Sequence, residues 1–445
     1  GAVGDGKTLN TKSLQSAIDA LHAKGGGQLY FPAGRYLTGS LQLKSNVTLY
    51  LEKEAMLLGS TSPYDYPGFS TEKELKVNND HFDQALIYAE GAENIGITGE
   101  GCIDGQGREL ALTIDSLHHT GELVDKHYNT YRKRPNTRPK LLFMRNCRKV
   151  ELRKTNFRSG AAWGLSFSLC ADLTIDSLHV ENRAYWNNDG IDISDCKDVR
   201  ISNCFIESGD DCICLKNRRE FEQYGSCEDV VVTNCTMTSR SCAVKIGSEN
   251  MDKINNVLFT NCIIKDSNRG IGIQNRDEGT VTNVIFSNMI VDCRFFSDVW
   301  WGKAEPIYVT SYPRAVGNHK DAGWRFPKGA VKGACGEVSR IYFQNIKCTS
   351  ENGIFVGGDT IDKVNRIYFD QVEVNLHKRT TFEGGIYDKR PCDGEGFLKG
   401  KTYGFFFHTA SDIQMERCTV NWGDTRPDYA AENIHLENTA GIIQK

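Results

Sequence analysis

Asp229-Val230-Val231-Val232-Thr233-Asn234-Cys235 and Asn256-Val257-Leu258-Phe259-Thr260-Asn261-Cys262 carry one pattern: a polar residue, alternating apolar side chains, then Asn-Cys. Asp198-Val199-Arg200-Ile201-Ser202-Asn203-Cys204 repeats it upstream. The leading apolar residue recurs at Val150, Leu173, Val199, Val230, Val257 and Val284, at intervals of 23, 26, 31, 27 and 27 residues. Further copies begin at Ile341, Ile367, Ile413 and Ile434. The 57-residue step from Val284 to Ile341 is two turns, or one turn with a long loop.

Alternation means a strand with one face buried, and a period in the twenties means a solenoid. The leucine consensus of a leucine-rich repeat is absent. A second short strand follows in each unit, such as Gly190-Ile191-Asp192-Ile193 or Val244-Lys245-Ile246. The expected fold is therefore all-β: a single-stranded, right-handed parallel β-helix forming one domain over residues 1–445. Cys204, Cys235 and Cys262 then hold equivalent places and pack as small buried thiols, while Asn203, Asn234 and Asn261 form a ladder at the turns.

Thr11 to Ala23 differs, with Leu14, Ala17, Ile18 and Leu21 at helical spacing. Asn10 or Thr11 is the expected cap and Gly25-Gly26-Gly27 the stop. Such a helix covers the open end of the coil, where an unpaired edge is otherwise sticky. Three stretches lack the repeat and read as loop insertions: about 106–140, with the basic run Arg132-Lys133-Arg134; about 294–337, with Trp300, Trp301 and Trp324; and about 378–404. Long loops on a regular coil usually shape a binding groove. The basic run by itself reads as a solvated loop.

Composition narrows the function. The 53 Lys+Arg nearly balance the 57 Asp+Glu of this 445-residue chain, which excludes a strongly basic nucleic-acid surface. No apolar run is long enough to span a membrane. The 16 Cys show no paired CxxC…CxxC spacing, so a zinc ribbon is not expected.

Aligning the second strands on their apolar pairs (Leu165/Phe167, Ile191/Ile193, Ile213/Leu215, Val244/Ile246, Ile271/Ile273, Ile307/Val309) yields columns that run from rung to rung. Two residues before each pair stand Trp163, Asp189, Asp211, Cys242, Arg269 and Glu305. Between each pair stand Ser166, Asp192, Cys214, Lys245, Gly272 and Tyr308, and after it come Ser168, Ser194, Lys216, Gly247, Gln274 and Thr310. Adjacent rungs lie about 4.8 Å apart, so Asp189 and Asp211 belong to neighbouring rungs with Asp210 beside them. Crowded carboxylates keep one proton and leave an acid beside a base, the requirement for glycoside cleavage. Asp-rich turns also cap loops or bind Ca²⁺.

Asn187-Asn188-Asp189-Gly190 and Gly209-Asp210-Asp211-Cys212 resemble the Asn-x-Asp-Gly and Asp-Asp motifs of glycoside hydrolase family 28, the polygalacturonase family. The likeness extends from Gly1-Ala2-Val3-Gly4-Asp5-Gly6 through Gly25-Gly26-Gly27-Gln28-Leu29-Tyr30-Phe31-Pro32-Ala33-Gly34 to the last repeats. It implies that Asp210 is the general acid, that Asp189 and Asp211 activate water, and that the anomeric centre inverts. It also implies a pectic or other acidic polysaccharide substrate, a secreted or periplasmic location and a monomer, and this hydrolase reading calls for no metal or cofactor. Two positions depart from the family. Its Gly-His-Gly is matched by Ser241-Cys242-Ala243, and its carboxylate-gripping Arg-Ile-Lys by Gly272-Ile273-Gln274. The sugar subsite is therefore expected to differ. Lys216, Lys245 and Arg269 are candidate replacements, with Gln274, Glu249 and Glu305 as further substrate contacts, and Trp163 and Trp186 as stacking platforms. Each also has an ordinary structural reading as an exposed strand residue or packing aromatic. Two other functions fit the coil. A polysaccharide lyase would use Ca²⁺ on the three aspartates and Lys245 or Arg269 as base. A non-catalytic carbohydrate-binding β-helix would have lost its chemistry.

Overall fold

The asparagines of the repeat take up the left-handed backbone region at the turns: Asn234 (φ 53°), Asn261 (φ 55°), Asn288 (φ 53°) and Asn345 (φ 52°). Asn tolerates this region better than other non-glycine residues. Its amide also links consecutive turns. Asn288 donates to Asn261 Oδ1 (3.4 Å) and Asn345 to Asn288 Oδ1 (2.9 Å), and a parallel ladder joins Asn283 to Asn256 (2.6 Å) and Asn256 to Asp229 (2.9 Å).

The computed structural model describes residues 1–67, 84–130, 132–218, 225–316, 331–392, 395–423 and 426–445. Trp324 lies outside them. The chain is a parallel β-helix whose contacts divide into two units, Gly1–Asp210 and Asp211–Lys445. In the first unit Gly27–Phe31, Val47–Leu51, Glu93–Thr98, Arg148–Arg153, Ala171–Asp176 and Lys197–Ser202 stack in parallel. Leu41–Gln42, Ala85–Glu90, Lys140–Arg145, Leu165–Ser168 and Ile191–Ser194 form a second stack. A third runs from Gly34–Thr38 through Asn156–Arg158 to Phe205–Ser208. The repeat thus has three strands per turn where the sequence pattern announces two. The third is only three or four residues long in its later copies, too short for alternation to register.

In the second unit Val230, Val257, Val284, Ile341, Ile367 and Ile413 pair in one column. Val284 pairs directly with Ile341, so the 57-residue step is one turn with a long loop. Ile434 leaves the column and pairs with Phe405 in the neighbouring stack. Inside the coil Phe259, Phe286, Phe343 and Phe369 stack at 5.4, 5.3 and 5.0 Å between ring centroids, all nearly inaccessible. Offset stacking at that spacing adds to their area burial. In the first unit Cys147, Cys170 and Cys196 are buried thiols. The Cys147 N–H donates to Cys170 Sγ and the Cys170 N–H to Cys196 Sγ, each at 3.4 Å.

The helix spans Thr11–Ala23 and buries Leu14 and Ile18. Asn10 does not cap it through its side chain. Its amide instead accepts from the Val3 N–H (2.7 Å) and donates to Val3 O (3.0 Å), so it pins the N-terminal segment. The insertion at 106–140 contains a helix, Gly107–Thr120, with Leu110, Ala111 and Ile114 buried. Its basic run is not a solvated loop. Arg134 is buried and the Arg132 guanidinium lies 4.8 Å from the Trp186 ring centroid. The 378–404 insertion forms an antiparallel hairpin, Ile386–Asp388 with Phe397–Lys399. Among the described residues no helix is long and apolar enough to cross a membrane.

Candidate active site

In the first unit Leu165 pairs with Ile191 and Ser166 with Asp192, which is the register the apolar pairs predict. One position earlier, the Leu141 N–H donates to Trp163 O (3.0 Å) and the Gly164 N–H to Asp189 O (2.9 Å). Lys140, Trp163 and Asp189 therefore follow each other along one edge. The two aspartate motifs are joined by Asn188, whose carbonyl accepts from both the Gly209 and Asp210 N–H groups at 3.1 Å. The Asn188 side chain is fixed in turn by donating to Gly160 O and Ala162 O, both at 2.8 Å. Asn182 donates to Asp189 O at 2.7 Å. This lattice of buried amides sets two carboxylates face to face: oxygens of Asp189 and Asp210 lie within 4.8 Å of each other. Asp189 is buried and Asp210 partly exposed.

Arg138, which the sequence pattern does not single out, is fully buried and donates to Trp186 O (2.6 Å) and Asn187 Oδ1 (3.1 Å). It supports the Asn-Asn-Asp-Gly turn from beneath. Lys140 is a second such residue. It is buried, donates to Ser166 Oγ (3.0 Å) and lies 4.6 Å from the Trp163 ring. Its only sequence signal is its place in the Trp163–Asp189 column. Trp163 is 8% exposed, and Trp186 is partly exposed with Arg132 on its ring.

Asp211 opens the second unit. Its Oδ2 accepts from Lys245 Nζ at 2.7 Å and its Oδ1 from Ser241 Oγ at 3.2 Å. The Asp211 and Lys245 side chains are only 2% and 8% exposed, so the pair is shielded from water. Lys245 reaches Asp211 because Cys214 pairs with Lys245 and Lys245 with Gly272. Cys242 pairs with Arg269 in the adjacent column. The Cys242 thiol is pushed up well above its ordinary value, by burial first and by Asp211 second. It stays protonated and donates to Val244 O at 3.0 Å.

Arg269 and Glu305 are fully buried. They form a bidentate pair at 3.1 and 3.0 Å, with Arg269 also donating to Asp388 O (3.1 Å) and stacking 3.5 Å from the Tyr308 centroid. Burial acts to lower the Arg269 value, but the Glu305 charge outweighs it and the guanidinium is held above its ordinary range. Gln274 is buried too, and its Oε1 has no hydrogen-bond partner among the described residues. A β-carbon at Gly272 would lie 2.7 Å from Cys242 Sγ and 3.0 Å from Arg269 Cδ. Cys242, Arg269 and Gly272 thus fit together as a set, and a side chain at position 272 has no room while the others stay.

A separate cationic group surrounds Glu249. Burial acts to raise its value, yet Arg218, Arg314, Lys216 and Lys245 hold it below the usual range. Arg218 lies 3.4 Å from Glu249, and Arg314 pairs with Asp277 at 2.8 Å. Lys216 and Lys245 therefore belong to a mixed charge network with Glu249 and Asp277, in which Lys245 is also bonded to Asp211, and which includes two arginines the sequence pattern leaves unmarked.

The profile of the Glycosyl hydrolases family 28 matches residues 27–293. A probable polygalacturonase of Vitis vinifera is 31% identical over 263 residues, covering 56% of this chain and 50% of the relative. An exo-poly-alpha-D-galacturonosidase of Dickeya chrysanthemi is 28% identical over 243 residues, covering 48% and 40%. The chain spans about half the length of these curated relatives. Among solved structures, the family 28 exopolygalacturonase of Yersinia enterocolitica superposes with a TM-score of 0.72 at 21% identity, covering 99% of this chain and 76% of that one. That likeness is one of fold.

Proposed function

Because the chain belongs to glycosyl hydrolases family 28, we propose that it is an inverting glycoside hydrolase acting on a pectic or other acidic polysaccharide. Asp210 serves as general acid, and Asp189 and Asp211 together hold and activate the water. The observation that carries this reading is the Asn188 clip with the Asp189 and Asp210 oxygens within 4.8 Å. Carboxylates this close resist double ionisation and share a proton. Asp210, the more exposed, is the one able to reach a leaving oxygen.

The sugar-binding side departs from the family pattern. A bidentate Arg and a Lys would supply charge-assisted bonds to a sugar carboxylate, and their absence at Gly272 and Gln274 removes roughly 3–6 kcal/mol at about 1.5–3 kcal/mol each. Lys245 and Lys216 supply positive charge nearby, but a lysine does not reproduce the planar fork of arginine. Unbranched polygalacturonate is therefore a poor substrate, and the site suits a neutral deoxysugar such as rhamnose or a differently linked uronate. The proposed acid–base reaction requires no cofactor. A secreted or periplasmic monomer fits a polymeric substrate. The lyase reading loses support from Arg269, whose buried guanidinium is saturated by Glu305 and is no base.

The test is Asp210→Asn on a panel of pectic glycans. Loss of hydrolysis by about 10²-fold or more, with an unchanged circular dichroism spectrum, is expected. Near-normal turnover by this variant would remove Asp210 from the acid role.

A further inference from the structure

The outward column of the second unit closes soon after Asp211. Cys214, Lys245 and Gly272 follow each other, and Tyr308, Phe355 and Phe406 come next. At about 4.8 Å per rung, Tyr308 stands only two rungs past Lys245. These aromatics point away from the coil interior, yet Tyr308 and Phe355 are fully buried and Phe406 is 4% exposed. Tyr387 of the 386–399 hairpin covers them, with its ring 5.0 Å from Phe355 and 5.1 Å from Phe406.

The hairpin is tied to the loop that carries the tryptophans. Arg390 donates to Asp388 Oδ1 and Oδ2 (2.8 and 2.7 Å) and reaches across to Asp298 O (3.1 Å) and Trp300 O (3.0 Å). Asp388 also accepts from the Gly302 N–H at 2.9 Å. Trp301, one residue before Gly302, lies over Lys245 with Nζ 5.1 Å from its ring. Two insertions distant in sequence are therefore clamped into one wall that begins at the Lys245 rung.

From this wall we infer that the substrate path beyond Asp211 is blind-ended, and that the protein removes short units from a chain end instead of cutting within the chain. The inference rests on the hydrolase reading above for its chemistry. A pyranose ring is about as long as one rung, so a polymer following the column past Asp211 has room for one or two rings before it meets Trp301 and the packed aromatics. An internal stretch of polymer would have to pass through a buried core.

Two measurements decide it. Wild-type protein is incubated with reducing-end-labelled homogalacturonan and rhamnogalacturonan, and product length is followed with viscosity. Mono- and disaccharides from the first turnovers, with viscosity almost unchanged, are expected. A ladder of mid-length fragments from the outset overturns the inference. Absence of any hydrolysis counts against the catalytic reading instead, and the second measurement still tests the wall. Asp210→Asn protein is titrated calorimetrically with oligomers of both polymers from two to eight residues. Affinity gains of about tenfold per added residue should stop after two or three residues, whereas gains that continue through six contradict a blind end. Arg390→Ala and, separately, Trp301→Ala should extend that plateau. If neither does, the wall is not what ends the site.

Discussion

Arg269→Met is the most informative disruption of the wall. In the folded protein this guanidinium makes two bonds to Glu305, one to Asp388 O, and a face contact with Tyr308. Both partners of the ion pair are fully buried. Without Arg269, Glu305 retains the Lys303 N–H at 2.7 Å and the Asp388 N–H at 3.5 Å but no ion-pair partner among the described residues. Removing one member of such a pair costs about 3–5 kcal/mol, because the remaining charge is stranded away from water. Arg269→Met/Glu305→Gln removes both charges, and the coupling between contacting residues should return about 1–3 kcal/mol. A solenoid need not unfold in one step, so the assay is local. Hydrogen exchange is measured on peptides covering Arg269–Asn275 and the Ile386–Asp388 strand, with the strand Cys227–Thr233 as an internal control. Faster exchange at the first two places in the single variant, with partial recovery in the double, is expected. A single variant within about 0.5 kcal/mol of wild type, or a double variant at the sum of both singles, would refute the reasoning.

Gly272→Arg, which restores the family residue, should destabilise by about 1–3 kcal/mol through overpacking against Cys242 and Arg269 and should not improve activity on polygalacturonate. Adding Cys242→Ala should relieve part of the loss in a thermal melt. Polygalacturonate itself should release reducing ends well below the roughly 10 s⁻¹ of an average enzyme, while a branched pectic glycan is turned over faster. Glu351 ties the third insertion to the coil by accepting from the N–H groups of Phe295 (2.5 Å), Arg379 (2.7 Å) and Thr380 (2.6 Å). Burial acts to raise it, but these bonds and Lys378 hold it below its ordinary value. A depressed folded value stabilises above the unfolded glutamate range near about 4.3 and loses that contribution as pH falls through the folded value. Glu351→Gln should therefore lower the melting temperature at pH 7, and the gap from wild type should narrow below about pH 4.

The coil was readable because its repeat is enforced physically. A stacked position that must hold an apolar side chain on every rung leaves a column in the sequence, and Val230 through Ile413 is such a column. The edge positions of Asp189 and Asp211 were readable for the same reason, since counting back from the apolar pairs fixes the rung. Insertions follow no repeat, so what they do was hidden. Nothing in the spacing of Arg269 and Glu305 says that they meet in a buried pair, or that Asp388, over eighty residues later, closes the group. The helix Gly107–Thr120 carries an apolar stripe of Leu110, Ala111 and Ile114, a signal that was present but masked by its setting between strand repeats. Arg138 gave no signal and Lys140 only its place in the Trp163–Asp189 column, because a lone cation at a strand start is usually solvated. Here each is held by acceptors on the next rungs.

The stereochemistry of the first product tests the central claim most directly. Carboxyl groups of inverting glycosidases are typically about 6.5–9.5 Å apart and those of retaining enzymes about 5–5.5 Å, and oxygens of Asp189 and Asp210 lie within 4.8 Å. That contact is between nearest oxygens and is not the separation of the carboxyl groups, so it does not itself set the stereochemistry. The account offered here assigns Asp210 to the leaving group and gives the water to Asp189 and Asp211 jointly, so no carboxylate acts as a nucleophile. Proton NMR of a cleavage reaction, recorded before mutarotation, reports the anomer first released. Inversion at the new reducing end is the predicted result. Retention, or an unsaturated product in place of a hydrolysed one, would contradict the three-aspartate mechanism.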